Sequence, residues 1–212
     1  MKRILCFGDS NTWGFVPAKE TRYPADVRWT GVAQKELGSD YLLIDEALNG
    51  RTTVWEDPVR PYMNAFTYLG PCLLSQFPLD GMTIMLGTND LKQHFHLNAW
   101  AIAEGVKCII EEAQKCSREF NGFVPEILVI SPPYIHDNID NSPYGAEFEG
   151  ERTLQVSHAL APEIERVAKD HGCHFFDASI GEVSPLDSIH LTPEGHRVLG
   201  LAIAAKLKEI VK

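Results

Sequence analysis

The chain has 212 residues, of which 44% are hydrophobic and 23% are charged, and its formal net charge is −10. This composition is typical of a globular protein, and the length suits one domain, so we expect a single domain over residues 1–212. The acidic balance and the absence of a Lys/Arg run disfavour nucleic acid and anionic membranes as partners. No apolar stretch is long enough to span a membrane.

Five strand-like segments alternate with helix-like segments along the chain. The strands are predicted at 3–7, 41–45, 82–87, 126–131 and 174–178. Helices are predicted at 29–37, 65–76, 98–116 and 150–171. A last helix starts with Thr192 as its N-cap and Pro193 in its first turn, and it runs to the C-terminus. The pair Gly70-Pro71 is expected to break or kink the helix at 65–76.

Strands that are continuous apolar runs, separated by helices, predict a parallel sheet covered on both faces. The expected fold class is therefore α/β, with three α/β/α layers around a five-stranded parallel sheet. Ligands of such sheets bind beyond the carboxyl ends of the strands. The residues that directly follow the strands are thus the first candidates for a functional site.

Polar segments that carry chemistry follow the predicted strands. Ser10 comes after the first strand, in "GDSN", and Asp187 and His190 lie in "DSIH" shortly before the last helix. A serine attacks a carbonyl only when a base takes its proton, and a carboxylate on the other ring nitrogen of a histidine fixes the required tautomer. Asp187 is three residues from His190, although Asp177 at the end of the fifth strand is an alternative acid. The pattern predicts acyl transfer with Ser10 as the nucleophile.

Acyl transfer also requires donors for the oxyanion of the tetrahedral intermediate. The backbone N–H groups of Ser10 and Gly50 and the side-chain amide of Asn89 are the candidates. Each has a simpler interpretation when taken alone, because serine, Asn-Gly pairs and asparagine are all common in turns and caps. Together, in order and close behind strands, they favour an active site. The flanking Asp9 and Asp90 are predicted to brace their own loops by accepting from local backbone amides.

Four blocks of this sequence resemble, in order and spacing, those of the SGNH (GDSL-type) hydrolases: "GDSN", a glycine after the second strand, "GTND" after the third, and D-x-x-H near the C-terminus. Stretches such as "RTT", "IMLGTND" and "FFDA" are most similar to the bacterial arylesterase/acyltransferase (perhydrolase-like) branch. The resemblance implies a flavodoxin-like SGNH hydrolase fold without cofactor or metal. It also implies catalysis by Ser10, Asp187 and His190, with Ser10, Gly50 and Asn89 as the oxyanion hole.

The activity implied by this resemblance is that of a serine esterase on short-chain acyl esters, with acyl transfer to alcohols or peroxide beside hydrolysis. Two segments, 50–64 and 131–149, are long for simple connections. By resemblance they narrow the site entrance and build a homo-oligomer. Asn11, where the family name has Leu, is interpreted as bearing on the substrate pocket. The other pocket candidates, some of which are equally compatible with plain core positions, are Trp13, Phe15, Asn49, Trp55, Phe95 and Tyr134.

Other functions stay open at the level of sequence. A carbohydrate O-acetyl esterase would use the same triad, with acidic loop residues bonding sugar hydroxyls: Asp137, Asp140, Glu147 and Glu149. A non-catalytic binding module on the same fold would lack a triad member, and none is missing. A metallohydrolase would use His94 and His96, an H-x-H pair with no third ligand at suitable spacing.

The five cysteines, an odd number without a C-x-x-C pair, lie in apolar patterns. They are expected to be buried free thiols in a reducing compartment, and they disfavour a zinc site. The polar "GDSN" interrupts the first apolar run before the core of a signal peptide could form. We therefore expect a cytoplasmic protein.

Overall fold

A computed structural model describes residues 1–212. Five strands pair in parallel in the order β2-β1-β3-β4-β5. This sheet, with helices on both faces, confirms the predicted three-layer α/β/α class. The strands are β1 Lys2–Gly8, β2 Tyr41–Ala47, β3 Gly81–Met85, β4 Glu126–Ser131 and β5 His174–Asp177.

Five long helices connect or follow the strands, and one short helix follows β1. Their ends reflect local chemistry. The side chain of Asn98 accepts from Ala101 N–H and caps α4, while Thr192 accepts from Gly195 N–H and caps α6. The helices are α1 Ser10–Trp13, α2 Trp29–Leu37, α3 Ala65–Gln76, α4 Ala99–Cys116, α5 Gly150–Asp170 and α6 Pro193–Ile210.

Alternating residues of each central strand point to opposite faces of the sheet. Leu5 and Phe7 of β1 join a core of 29 buried residues that includes residues of α3, α4 and α5. Ile4 and Cys6 join a second core of 16 buried residues that includes residues of α2 and α6. Because both faces are covered, the strand is apolar at every one of these positions.

The prediction that Gly70-Pro71 would break or kink the helix at 65–76 is corrected in one respect: α3 runs unbroken from Ala65 to Gln76 with Pro71 inside it. Pro71 is exposed, so its ring lies on the solvent side of the helix. The carbonyl one turn earlier, which receives no hydrogen bond because proline has no N–H, lies on the same side. Gly70 has no Cβ to clash with the prolyl ring, which removes part of the usual steric penalty. The helix is thereby continued at a position where proline usually ends it.

The strand order positions the candidate residues. The chain passes from β1 to the edge strand β2 and returns to β3 on the other side of β1, so the gap between the ends of β1 and β3 is the switch point where ligands bind. Ser10 follows β1 and Asn89 follows β3. None of the helices combines the length and hydropathy needed to cross a bilayer.

Candidate active site

Ser10 lies directly after the turn between β1 and α1. Asp9 caps the short helix by accepting from Asn11 N–H at 3.0 Å, and Ser10 is the first helical residue. A Cβ on Gly8 would overlap with the hydroxyl of Thr12, so the strand end requires a glycine there. The hydroxyl of Ser10 is consequently held at the carboxyl edge of the sheet by local geometry.

A hydrogen-bonded chain joins three of the predicted residues. His190 Nε2 lies 2.8 Å from Ser10 Oγ, and His190 Nδ1 lies 2.8 Å from Asp187 Oδ2. Asp187 Oδ1 also accepts from the backbone N–H groups of Ile189 and His190. Burial alone would raise the pKa of Asp187, but the bonds and charge of His190 and the backbone donors outweigh it and lower the pKa below its ordinary value. The carboxylate thus stays ionised beside the imidazole.

The side chain of Asn11 joins the serine turn to the histidine loop. Its amide donates to Ile189 O at 3.2 Å, and its oxygen accepts from Leu191 N–H at 3.0 Å. These two bonds hold both chain neighbours of His190. The interpretation of Asn11 as a pocket residue is therefore corrected: its side chain is turned toward the backbone of the histidine loop and does not line the site cavity.

The three residues that are predicted to supply oxyanion donors all line the same cavity. Gly50 has φ +85°, a left-handed conformation that favours glycine, in a turn closed by Arg51 N–H and Leu48 O. Its own N–H has no partner within the protein. Asn89 donates one amide hydrogen to Arg51 O at 3.1 Å, which leaves the other for a ligand. The N–H of Ser10 belongs to the first turn of α1, where amides have no partner within the helix.

The two flanking aspartates differ from each other in their contacts. Asp9 bonds a local amide as predicted, its second oxygen is buried without a partner, and burial raises its pKa to about 6. Asp90 does not brace its own loop, which corrects the prediction. Its carboxylate accepts from the backbone N–H and the hydroxyl of Thr53, 37 residues away. Asn89 and Asp90 together fasten the turn after β3 to the segment that carries Gly50.

The cavity above these groups has a volume of about 340 Å³. Phe15 stacks on the imidazole of His190 with ring centroids 4.3 Å apart, and Tyr144 meets it edge-on at 5.9 Å. The predicted Phe15 and Asn49 lie in its lining. The lining residues that sequence reasoning missed are Glu20, Arg60, Lys92, Tyr144, Phe148 and Ile189.

Several of these had a weak signal in the sequence. Tyr144 and Phe148 lie in the long segment 131–149, and Arg60 lies in 50–64. The lengths of these segments indicated that they contribute to the site, but nothing in the sequence indicated which of their side chains line the cavity. Glu147, considered only as a sugar ligand, also lines the cavity.

Three of the predicted pocket residues, Trp13, Phe95 and Tyr134, lie outside this cavity, as does Trp55. Trp13 is covered by Arg22, whose guanidinium lies 5.1 Å from its ring centre. Tyr134 stacks on His158 over a different, smaller cavity. Their sequence neighbours are close to the site, but these side chains do not line the cavity, so the assignments are corrected.

The alternative site residues have other partners. Asp177 accepts from Ser131 Oγ and Ser179 N–H and does not contact His190. His94 Nε2 lies 3.4 Å from Asp57. No group of three or more His, Cys, Asp or Glu side chains is arranged to hold a metal ion.

A five-stranded parallel sheet with a serine at the switch point, and a histidine hydrogen-bonded to that serine, is characteristic of hydrolases that act on carboxylic esters, and this protein is a carboxylic ester hydrolase. The model of the GDSL-like lipase/acylhydrolase family matches residues 6–198, and the chain belongs to this family.

Solved structures agree with this membership over nearly the whole chain. A carbohydrate acetylesterase from Sinorhizobium meliloti, Est24, is 36% identical with a TM-score of 0.92, and 99% of each chain is covered. The aryl esterase of M. smegmatis is 37% identical with a TM-score of 0.90, over 99% of this chain and 100% of that one. No curated protein matches the sequence.

Proposed function

We propose that the protein cleaves acyl esters through an acyl-Ser10 intermediate, with His190 as general base and acid and Asp187 as the residue that orients it. The observation that carries this proposal is the pair of 2.8 Å hydrogen bonds that link Ser10, His190 and Asp187 beside the cavity. Such a chain supplies both the base and its tautomer.

In the first step His190 takes the proton of Ser10 as the Oγ attacks the carbonyl carbon. The oxyanion accepts from the N–H groups of Ser10 and Gly50 and from the Asn89 amide. The ester bond then breaks, and the leaving alcohol takes its proton from His190. In the second step a water gives its proton to His190 and attacks the acyl carbon, and the acid leaves as Ser10 regains its proton. An alcohol or peroxide in place of this water would make the same site an acyltransferase.

Short-chain acyl esters with an aromatic alcohol are the first candidate substrates. The cavity of about 340 Å³ limits acyl length, and the rings of Phe15, Tyr144 and Phe148 offer apolar surface to an aryl group. Esters of carbohydrates are the second candidate. The same cavity contains Glu20, Asn49, Arg60 and Glu147, which are side chains that bond hydroxyl groups. Structural neighbours of both kinds are known.

A fluorophosphonate probe tests the mechanism. We expect the probe to modify Ser10 and to block hydrolysis of p-nitrophenyl acetate, and we expect Ser10→Ala and His190→Ala to lose both reactions. Adducts are located by mass spectrometry of peptides. Retention of esterase activity by a folded Ser10→Ala variant would exclude the acyl-serine mechanism.

A homo-oligomer is proposed from the surface of the segment 50–64. Val59 and Tyr62 are 73% and 85% exposed, and Trp55 is also exposed. Large apolar side chains so close together are common at protein interfaces. Light scattering in solution tests this, and a monomer at micromolar concentration would contradict it.

We further propose a cytoplasmic location and a single catalytic domain over residues 1–212. All five cysteines are free thiols, which suits a reducing compartment. Cell fractionation tests the location, and a single cooperative unfolding transition would support one domain.

A further inference from the structure

A second cavity adjoins the one that contains Ser10. Its volume is about 450 Å³, and Arg60 and Glu147 line both cavities. These two side chains form an ion pair, with Arg60 Nη2 2.6 Å from Glu147 Oε1. The pair joins the segments 50–64 and 131–149 and is a boundary shared by the two cavities.

The charged side chains around the second cavity are paired. Asp57 faces Lys92 Nζ at 3.1 Å, and its other oxygen accepts from the N–H groups of Val59 and Arg60. Glu147 faces Arg60. Lys92 does not line the second cavity itself, but it lies against Asp57 and balances its charge. With Arg60 against Glu147, these groups together present no net charge that would favour an ionic ligand.

Side chains that line this cavity still have hydrogen-bond donors and acceptors without a partner. Gln93 donates its amide N–H to Ala146 O at 2.6 Å, which leaves its side-chain oxygen as an acceptor. The second ring nitrogen of His94 has no partner within the protein, and Arg60 has further guanidinium N–H groups. Donors and acceptors side by side without net charge suit hydroxyl groups, because each hydroxyl both donates and accepts.

We propose that the second cavity is a subsite for a hydroxyl-rich extension of the alcohol portion of the ester, such as the second ring of an acetylated disaccharide. This rests on the proposed function, since the ester bond must lie against Ser10 in the first cavity. The alcohol portion then extends past the Arg60–Glu147 pair into the second cavity. The ion pair contacts both the ring that carries the ester and the extension.

The test fills the second cavity by substituting a residue that does not line the first cavity. Ala146 is exposed and lines only the second cavity, so Ala146→Trp fills it with an indole. Ala159→Trp, exposed on α5 and outside both cavities, is the matched control. The substrates are p-nitrophenyl acetate, mono-O-acetylated glucose and mono-O-acetylated cellobiose.

We expect the kcat/KM of the wild type for the acetylated disaccharide to exceed that for the monosaccharide about tenfold, as a few neutral hydrogen bonds provide. Ala146→Trp should abolish this ratio and Ala159→Trp should keep it. His94→Ala, which removes hydrogen-bonding groups without adding bulk, should reduce the ratio severalfold. It provides the same test should Ala146→Trp fail to fold.

Equal turnover of the two sugars by the wild type, or a preference that the variants leave intact, overturns the subsite. Absence of turnover of both sugars by a protein that cleaves p-nitrophenyl acetate also overturns it, and the esterase mechanism then still stands. Failure of the mechanism itself is distinguishable, because hydrolysis of p-nitrophenyl acetate would persist in Ser10→Ala.

Discussion

The imidazole of His190 is fixed from several directions at once. Asp187 bonds one ring nitrogen and Ser10 the other, while Phe15 covers one ring face at 4.3 Å. Asn11 bonds the backbone on both sides of the histidine. In the proposed mechanism, a base held in this way needs little reorganisation before it takes the serine proton, which is the condition for efficient proton transfer.

At the residue scale we predict that Asn89→Ala lowers kcat about 10²- to 10³-fold with a small change in KM, because one oxyanion donor acts mainly in the transition state. Steady-state kinetics with p-nitrophenyl acetate measure this. Asn64→Ala is the matched control, since both asparagines are 7% exposed but Asn64 lies outside the cavity, where its side chain caps α3 and donates to Val54 O and Glu56. The control should lower thermal stability and leave kcat unchanged; a loss below threefold in Asn89→Ala would contradict the oxyanion role.

Asn11→Leu introduces the residue that the GDSL motif has at this position. It should lower kcat about ten- to a hundredfold, because the His190 loop loses its two hydrogen bonds to the serine turn. KM and the fold should be largely kept. The rate of fluorophosphonate labelling of Ser10 reports the same loss without turnover.

Asn121→Leu is the control for this substitution. Asn121 also bonds a backbone segment in two directions, accepting from Leu79 N–H and donating to Leu79 O, but it lies outside the site. If both variants lose stability and neither loses kcat, Asn11 is a structural residue only.

At the scale of elements, the segments that follow β2, β3 and β4 are fastened to one another by polar contacts. Asp90 bonds Thr53, and Arg60 bonds Glu147. Lys92 and Asp57 form an ion pair whose side chains are only 2% and 1% exposed. Burial by itself would raise the pKa of the Asp57 carboxylate. The hydrogen bond from the backbone N–H of Val59 and the hydrogen bond and charge of the Lys92 side chain together outweigh burial, so the pKa of Asp57 is lowered.

We predict that Lys92→Met lowers the free energy of unfolding by about 3–5 kcal/mol, because Asp57 then remains buried without its counter-ion. Urea unfolding followed by circular dichroism measures this. The double variant Lys92→Met/Asp57→Asn should recover at least half of the loss, since the uncompensated charge is gone. A double variant less stable than Lys92→Met would show that the cost lies in packing and not in the charge.

On the scale of the whole molecule, α6 packs against α2 and places the fully buried His196 between them. Its Nδ1 accepts from Trp29 N–H at 3.2 Å, and its Nε2 has no partner. Burial, together with the charges of His190 and Arg28, lowers the pKa of His196 from 6.5 to about 3. The folded protein therefore holds this histidine neutral, whereas the unfolded chain protonates it below pH 6.5.

It follows that the contribution of His196 to stability is present above pH 6.5 and is lost as the pH falls toward 3, by about 1.4 kcal/mol per pH unit. Asp9 and Asp90, whose pKa values burial raises to about 6, act in the opposite sense. Comparison of the wild type with His196→Asn cancels their effect. We expect the free energy of unfolding of the variant to fall less steeply between pH 6.5 and 4; parallel curves would contradict the lowered pKa.

The sequence by itself determined the layered fold and where on it to look. Apolar periodicity and helix caps are local properties, so the bounds of α2, β4 and the start of α6 agree with the predictions. Parallel strands share one carboxyl edge by geometry, which brings Ser10, Gly50 and Asn89 together once the strand order is known. The matched motifs then indicate the family.

Only the tertiary structure decided which side chains meet at that edge. It shows Asp187 and not Asp177 bonded to His190, and it leaves Trp13, Phe95 and Tyr134 outside the lining of the cavity. The bonds of Asn11 to Leu191 and of Asp90 to Thr53 span 180 and 37 residues. Such contacts depend on how irregular segments pack on a common scaffold, and no periodic pattern in these segments encodes their direction.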